Sequence, residues 1–352
     1  MSRCSTLSIL LTLLAAVAIA QPERPIRRPV NNELALETVD APARPDAPDA
    51  AQGVTARLLF HVSPLSGKGL LSQQVRDALK ALEKSTNGAV VLKLRAFVAG
   101  TGDVRRIQSI VTEEFTSKKW PVPAITTVLV GALPVENAQV VIESISEDKK
   151  NNLNPAGLAF VSAQPSVAQL EKVMQAAGAV ALRVNCFADS LAAADEARKA
   201  AAKTFPSAAG TFVQATRAGI GSRVACEGVG RLPGRSAAPG APLVERLAGE
   251  DSDRSAAVLV RLPKVVFTSA QMAFVEQNSG IQQAYERLGR AIQAAHITAG
   301  EVLFTNRYSV VGLGESTAPA PTENRPGRTS VVVEGLPALD ANLAVEIVAA
   351  VN

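Results

Sequence analysis

The chain has 352 residues, of which 47% are hydrophobic but only 4% aromatic, and its formal net charge is +4 at pH 7. This length favours two or three domains, and this composition requires cores built mainly of aliphatic side chains. The net charge is small, and no run of Lys and Arg is interleaved with aromatic residues. These features exclude the usual basic nucleic-acid-binding surface, so we expect no nucleic-acid partner.

The first 20 residues have the pattern of an export signal. Arg3 precedes an apolar run over residues 7–20 that ends in Ala18-Ile-Ala20. A charged start, a short apolar run and a small-x-small site are typical of a cleavable signal peptide, with an uncleaved anchor as the alternative. We expect residues 1–20 to be removed and the mature protein to be periplasmic or secreted, without a membrane segment. Residues 21–54, rich in Pro, Ala, Asp and Arg, predict a flexible tether.

Two cysteines, Cys186 and Cys226, remain in the mature chain. Each is in phase with the apolar residues of a predicted strand. This pattern favours two buried small side chains over a disulfide, although an exported protein would permit the bond. The cysteines and the two distant histidines, His61 and His296, do not have the spacing of a metal site, so we expect no metal.

Three consecutive stretches repeat one order of predicted elements: strand, helix, strand, helix, strand, strand. The first two stretches are residues 55–150 and 155–232. A linker rich in Gly, Pro and Ala, residues 233–252, precedes the third stretch, residues 253–352. In the third stretch a loop rich in Ser, Pro and Ala replaces the second helix.

Two sequence landmarks support this repeat. Phe160-Val-Ser-Ala-Gln164 recurs as Phe267-Thr-Ser-Ala-Gln271, and Phe60 occupies the matching place in the first stretch. Thr126-Thr-Val-Leu-Val-Gly-Ala-Leu-Pro134 recurs as Thr329-Ser-Val-Val-Val-Glu-Gly-Leu-Pro337. A period of roughly 100 residues is far longer than that of solenoid repeats. The pattern therefore predicts tandem α/β domains.

The third stretch also carries Arg325-Pro-Gly-Arg-Thr-Ser-Val331 and, on its last predicted strand, Val345-Glu-Ile347. With the repeated landmarks, these motifs resemble the RidA/YjgF family of reactive-intermediate deaminases, formerly named L-PSP endoribonucleases. The resemblance covers about residues 55–352 as three divergent copies. It implies an α/β (α+β) fold similar to chorismate mutase in each copy, with a mixed sheet and two helices on one face. Because family members are homotrimers, it also implies a single-chain pseudo-trimer that is a monomer in solution.

The resemblance assigns candidate site residues between the copies. In the family, the second arginine of Arg-Pro-x-Arg holds the substrate carboxylate, and a glutamate on the last strand assists attack of water on an imine carbon, without a cofactor. These roles fall on Arg328 for substrate binding and Glu346 for catalysis, and the chemistry of both side chains suits them. Ser269 and Gln271 are further candidates for substrate binding, and Asn306-Arg-Tyr308 is a strand end that reaches towards the same cleft.

The first two copies depart from the family pattern. Ile125 and Gly210 occupy the arginine position, and Glu143 and Glu227 fall two residues beyond the position that we align with Glu346. The resemblance therefore implies an exported imine/enamine deaminase with one competent cleft, which releases a 2-keto acid and ammonia. The alternative is a non-catalytic pseudo-trimer that binds a small carboxylate or a protein partner. Ribonuclease activity is disfavoured by the small net charge.

Overall fold

The structure is a computed structural model of the chain. It describes residues 50–54, 58–100, 103–147, 157–218, 221–232, 244–248, 255–260, 264–274, 277–294, 299–310 and 327–351. All described residues belong to the part of the chain Asp40–Asn352. The predicted signal peptide and the loop that replaces a helix lie outside the described residues. No helix among the described residues is long and apolar enough to span a membrane.

The first described element lies in the predicted tether. Residues Ala50–Val54 form a strand, β1, that pairs antiparallel with Lys264–Thr268. The prediction of a flexible segment over residues 21–54 is therefore wrong at its end. Pairing with a distant strand supplies backbone partners that composition does not reveal.

The first repeat unit has the predicted element order. Its elements are β2 (Leu58–Val62), α1 (Leu71–Thr86), β3 (Val90–Ala99), α2 (Val104–Ser117), β4 (Ala124–Val130) and β5 (Val140–Glu147). In α1, Val75, Leu79 and Leu82 recur at helical spacing and are buried against the sheet, as the periodicity predicts. Asp103 caps α2 by accepting a hydrogen bond from the backbone N–H of Arg105.

The second unit repeats this order without interruption. Its elements are β6 (Gly157–Gln164), α3 (Val167–Ala176), β7 (Val180–Ala188), α4 (Leu191–Thr204), β8 (Ala209–Gln214) and β9 (Val224–Leu232). Ser166 and Ser190 cap α3 and α4 through their side-chain oxygens. In both units the two helices pack on the same face of the sheet, as predicted.

Two further strands lie between the second and third units. They are β10 (Val244–Ala248) and β11 (Ser255–Val260), which pair antiparallel with each other. The predicted linker over residues 233–252 therefore contains a strand. The third unit follows with β12 (Lys264–Thr268), β13 (Gln271–Ala273), α5 (Gln277–Ala294), β14 (Ala299–Ser309), β15 (Gly327–Val332) and β16 (Leu343–Val351).

All three units have the same strand order. The first strand pairs antiparallel with the last, the last pairs antiparallel with the second, and the second pairs parallel with the third. Among the described residues, these strands form two sheets: a ten-stranded sheet that joins the first two units through β11, and a six-stranded sheet of the third unit with β1. The predicted mixed α+β character is confirmed, and the domain boundaries stay predictions.

The two remaining cysteines are covalently linked. Cys186 on β7 and Cys226 on β9 are directly opposite each other, fully buried, with their Cα atoms 4.1 Å apart, and they form a disulfide. The interpretation as two free hydrophobic side chains is therefore wrong. The bond depends on the register of two strands that are 40 residues apart in sequence, and a single sequence does not fix that register.

One aromatic side chain from each unit meets the other two in the core. Phe97, Phe187 and Tyr308 have ring centroids 5.8, 6.4 and 6.4 Å apart. The three residues occupy the same register position on the second strand of their units. Aromatic rings at these separations interact favourably with each other. The sheet faces opposite the helices therefore converge on this triangle.

Candidate ligand site where the three units meet

Strand register defines one polar row in each unit on the face that points towards the aromatic triangle. Each row places a threonine, an arginine or asparagine, and a glutamate side by side on three adjacent strands. The rows are Thr126–Arg95–Glu143 in the first unit, Thr211–Asn185–Glu227 in the second and Thr329–Asn306–Glu346 in the third. All nine side chains are buried.

The three glutamates are equivalent in register, which corrects the alignment of Glu143 and Glu227 two residues away from Glu346. The signal was present in the sequence. Glu143 lies nine residues after Pro134, as Glu346 lies nine residues after Pro337. Every unit therefore keeps the glutamate of its last strand.

Arg95 connects all three units. Its Nε donates to Oε2 of Glu143 at 2.6 Å, its Nη1 donates to Oε1 of Glu227 at 2.8 Å, and its Nη2 donates to Oδ1 of Asn306 at 2.9 Å. Lys93 adds an ion pair to Oε2 of Glu227 at 2.8 Å. Buried charge-assisted hydrogen bonds of this kind require well-defined geometry. They therefore fix the position of the first unit relative to the other two.

Glu346 is fully enclosed by a second group of donors. Tyr308 Oη donates to Oε1 of Glu346 at 2.9 Å, and Arg183 Nη2 and Thr211 Oγ1 also donate to this carboxylate. Two of these partners belong to the second unit. Glu346 is 0% exposed, so its carboxylate is held between units and does not face solvent.

The network contains three cations, Lys93, Arg95 and Arg183, and the three glutamates. Burial opposes ionisation of Glu227, but Lys93 and Arg95 overcome this effect and lower its pKa to about 2. Burial raises the pKa of Glu143, and Arg95 offsets this only in part. Burial and the neighbouring Glu346 raise the pKa of Tyr308 well above its ordinary value. The equivalent carboxylates Glu143 and Glu227 therefore differ in their affinity for a proton.

A cavity of about 50 Å³ lies beside this network. Its wall is built from residues at equivalent positions of the three units. One ring consists of the repeat landmarks Phe60, Phe160 and Phe267, a second of their strand neighbours Ile145, Val229 and Val348, and a third of Lys93, Arg183 and Phe304. The lining is completed by Arg95, Asn185, Glu143, Glu227 and Gly228. The cavity thus has an apolar part and a charged part.

The predicted pair of Arg328 and Glu346 is not brought together. Arg328 is exposed, and it lies in the strand row of Thr305 and Ile347. Glu346 lies in the adjacent row with Asn306. Because side chains of successive residues alternate between the two faces of a sheet, Arg328 points to the face opposite Glu346.

The other predicted residues lie in the interior. Ser269 is buried, and its Oγ accepts a hydrogen bond from the backbone N–H of Gly210 in the second unit at 2.9 Å. Gln271 is buried on β13, opposite Val345 of β16. Neither lines the cavity, and their roles in substrate binding stay predictions. Arg325 lies outside the described residues.

Sequence reasoning missed the cations of the central network. Lys93 and Arg95 alternate with Leu92 and Leu94, a pattern typical of a strand with one solvent-facing side. In the structure both faces of β3 are buried, because one side packs on helices and the other on the neighbouring units. Phe97 lies on the same face of β3 as Lys93 and Arg95. This aromatic side chain was the signal in the sequence that the face is buried.

Comparisons with known proteins give weak similarities. No protein-family model matches the sequence, and no curated protein matches it. A member of the YjgF/YER057c/UK114 family from Mycobacterium tuberculosis is 22% identical, covering 31% of this chain and 99% of its own, with a TM-score of 0.23. A cyanuric acid hydrolase described as an innovation by structural concatenation is 9% identical, covering 83% and 99%, with a TM-score of 0.40. The cyanuric acid hydrolase of A. caulinodans is 10% identical, covering 84% and 99%, with a TM-score of 0.37. These scores do not establish a family or an activity.

Proposed function

We propose that the chain is a single-chain, RidA-like pseudo-trimer that binds a small carboxylate in its central cavity and does not catalyse a reaction there. The observation that carries the proposal is the cavity itself. Residues at equivalent positions of three units line it, and Lys93, Arg95 and Arg183 are its cationic side chains. A concave, largely apolar site with a few convergent polar groups is typical of small-molecule binding.

The hydrogen bonds that Glu346 accepts support ligand binding rather than catalytic turnover. A general base must reach the proton that it abstracts or the water that it activates. Both carboxylate oxygens of Glu346 already accept hydrogen bonds, one from Thr211 and the other from Tyr308 and Arg183. Its carboxylate therefore serves to join the second and third units.

The second candidate is the imine/enamine deaminase implied by the family resemblance, with Arg328, Ser269, Gln271 and Glu346 as its site. One observation favours it. The start of β15 lies against the first unit, since a Cβ added to Gly327 would be 3.3 Å from Cγ2 of Val62. Arg328 is thus next to a junction between two units, where the family holds its substrate.

One experiment separates the two candidates. Thermal unfolding is followed with acetate, propionate, butyrate or pyruvate, and with the amides of the same acids as neutral controls. Freshly generated 2-iminopropionate is tested in parallel for release of pyruvate and ammonia. A binding module is stabilised by carboxylates but not by amides, shows no turnover, and responds equally after Arg328→Ala. Turnover that Arg328→Ala abolishes would instead establish the deaminase.

We also propose that the protein is exported and is a monomer. The signal-like pattern of residues 1–20 supports export, and the disulfide between Cys186 and Cys226 suits an oxidising compartment. Contacts among three units of one chain support the monomer, because a homotrimer would need three chains for the same set of contacts. Fractionation of the source cells tests the first point, and the mass in solution tests the second.

A further inference from the structure

The charges beside the cavity are balanced. Among the described residues of the network, the three cations Lys93, Arg95 and Arg183 face three carboxylates, and each glutamate is ion-paired. A bound anion would add an uncompensated negative charge to a buried site. Burying such a charge is costly unless a partner or a proton neutralises it.

One of the three cations, Arg183, has an N–H group without an acceptor among the described residues. Arg183 donates through Nε to Oδ1 of Asn185 at 2.9 Å and through Nη2 to Glu346. Its Nη1 has no hydrogen-bond partner among the described residues, although the side chain is only 7% exposed and lines the cavity. Lys93, at the equivalent position of the first unit, is fully engaged, with Thr126, Glu227 and the backbone oxygen of Val161 as acceptors. An acceptor oxygen of a ligand therefore fits best against Nη1 of Arg183.

One carboxylate is suited to take a proton. Glu143 on β5 faces Arg95 of β3, and Glu227 of β9 and Tyr308 of β14 act on it at longer range. Asn306 of β14 adds a neutral donor, and the neighbour of Glu143 on β2 is Val62. Lys93 is paired with Glu227, and the cation that is ion-paired with Glu143 among the described residues is Arg95. Burial already raises the pKa of Glu143, and a ligand anion in the same cavity would raise it further.

We propose that the cavity binds a short aliphatic monocarboxylate together with one proton, with the carboxylate on Nη1 of Arg183 and the proton on Glu143. The proposal rests on the proposed binding function and specifies its ligand class. No covalent bond forms or breaks in the ligand, and the proton comes from solvent. The buried network then keeps its net charge when the ligand is bound.

The apolar part of the cavity limits the polarity and the length of the ligand's hydrocarbon tail. The rings of Phe60, Phe160, Phe267 and Phe304 and the side chains of Ile145 and Val229 offer no polar partner. A volume of about 50 Å³ accommodates roughly four water molecules, which corresponds to an acid of about three to five carbons. Butyrate is therefore the probe of choice, and malonate, with a second charge, is excluded.

Calorimetric titration of the full mature protein with butyrate tests the proposal. Titrations at pH 7 in two buffers of different ionisation enthalpy give the number of protons taken up, and we expect about one per butyrate. The affinity should then rise about tenfold for each unit by which the pH falls, until Glu143 is protonated in the free protein. Butyramide and malonate should not bind.

Three variants assign the groups. Glutamine mimics a protonated glutamate, so Glu143→Gln should bind butyrate at pH 7 without proton uptake. The control variant Glu113→Gln changes an exposed glutamate and should keep the uptake. Arg183→Lys keeps a cation beside Glu346 but removes Nη1, and we expect at least a tenfold loss of affinity. Arg307→Lys is the matched control, because Arg307 is equally buried but binds Tyr285 on the helix-covered face.

The outcomes distinguish failure of the proposed binding function from failure of the proposed proton coupling or anchor. If none of the carboxylates binds, the proposed function itself fails. If butyrate binds without proton uptake, or if Glu143→Gln keeps the uptake, the binding function stands and the proton coupling is refuted. If butyramide binds as well as butyrate, or if Arg183→Lys binds as tightly as the unchanged protein, the assigned anchor is wrong.

Discussion

Replacement of Glu227 with glutamine tests whether the buried network joins the units. Glu227 of the second unit pairs with Lys93 and Arg95 of the first, each at 2.8 Å. Its pKa is lowered from 4.5 to about 2. At roughly 1.4 kcal/mol per pKa unit, this difference stabilises the folded protein by about 3 kcal/mol at neutral pH. Removal of one partner from a buried ion pair costs a similar amount, about 3–5 kcal/mol. We expect Glu227→Gln to lower the free energy of unfolding by about 3 kcal/mol at pH 7.

The pH dependence gives the sharper test. Because the folded-state pKa of Glu227 is lowered, its contribution is complete above pH 4.5 and is lost as the pH falls towards 2. Urea unfolding should therefore show a difference of about 3 kcal/mol between the two proteins at pH 7 and about 1 kcal/mol at pH 3. The control Asp195→Asn removes a partly exposed carboxylate of α4 and should cost below about 1 kcal/mol at pH 7. A difference below about 1 kcal/mol for Glu227→Gln at pH 7, or an equal difference at both pH values, would refute the reasoning.

Three further predictions follow from the same structure. Tyr308→Phe keeps the aromatic triangle but removes the hydrogen bond to Glu346, so urea unfolding should show a loss of about 1.5–3 kcal/mol; an unchanged midpoint would contradict that role. Removing the disulfide by the double change Cys186→Ala and Cys226→Ala opens a loop of 40 residues, and calorimetry should show a loss of about 4 kcal/mol, whereas full retention of stability would argue against the bond. Arg328→Ala should change the free energy of unfolding by less than about 0.5 kcal/mol, because the side chain is exposed; a larger loss would reveal a structural partner.

Sequence periodicity was sufficient to predict the order of elements. In the first two units the observed strands and helices follow the predicted order, because hydrophobic period and turn residues are local signals. The aligned landmarks Phe60, Phe160 and Phe267 line one cavity in the structure. The repeat was therefore a sound guide to which positions are equivalent. Strand β1 was missed because its only signal is a distant partner strand.

The site was predictable only in part. Glu346 and the strand end Asn306-Arg-Tyr308 were singled out, and Glu346, Asn306 and Tyr308 belong to the buried network. Pairing Glu346 with Arg328 failed because it relied on a motif without testing strand register. A shift of one residue moves a side chain to the other face of the sheet. The cations of the network were missed for a related reason: alternation of Lys93 and Arg95 with Leu92 and Leu94 is typical of a strand with one solvent-facing side, whereas both faces of β3 are buried.

In the proposed pseudo-trimer, electrostatic repulsion explains why the three units carry different residues at equivalent positions. Lys93, Arg183 and Phe304 share one register position beside the central cavity, as do Arg95, Asn185 and Asn306. Three identical chains would place three lysines, or three arginines, at one such position, and like charges at close range in a buried site repel strongly. A single chain can instead place one arginine opposite two asparagines, so that Arg95 reaches a glutamate of its own unit, a glutamate of the second unit and an amide of the third. Among the described cations of the network, the same asymmetry leaves Arg183 with an open donor, so in the proposed pseudo-trimer one anchor point for a ligand replaces the three of a symmetric trimer.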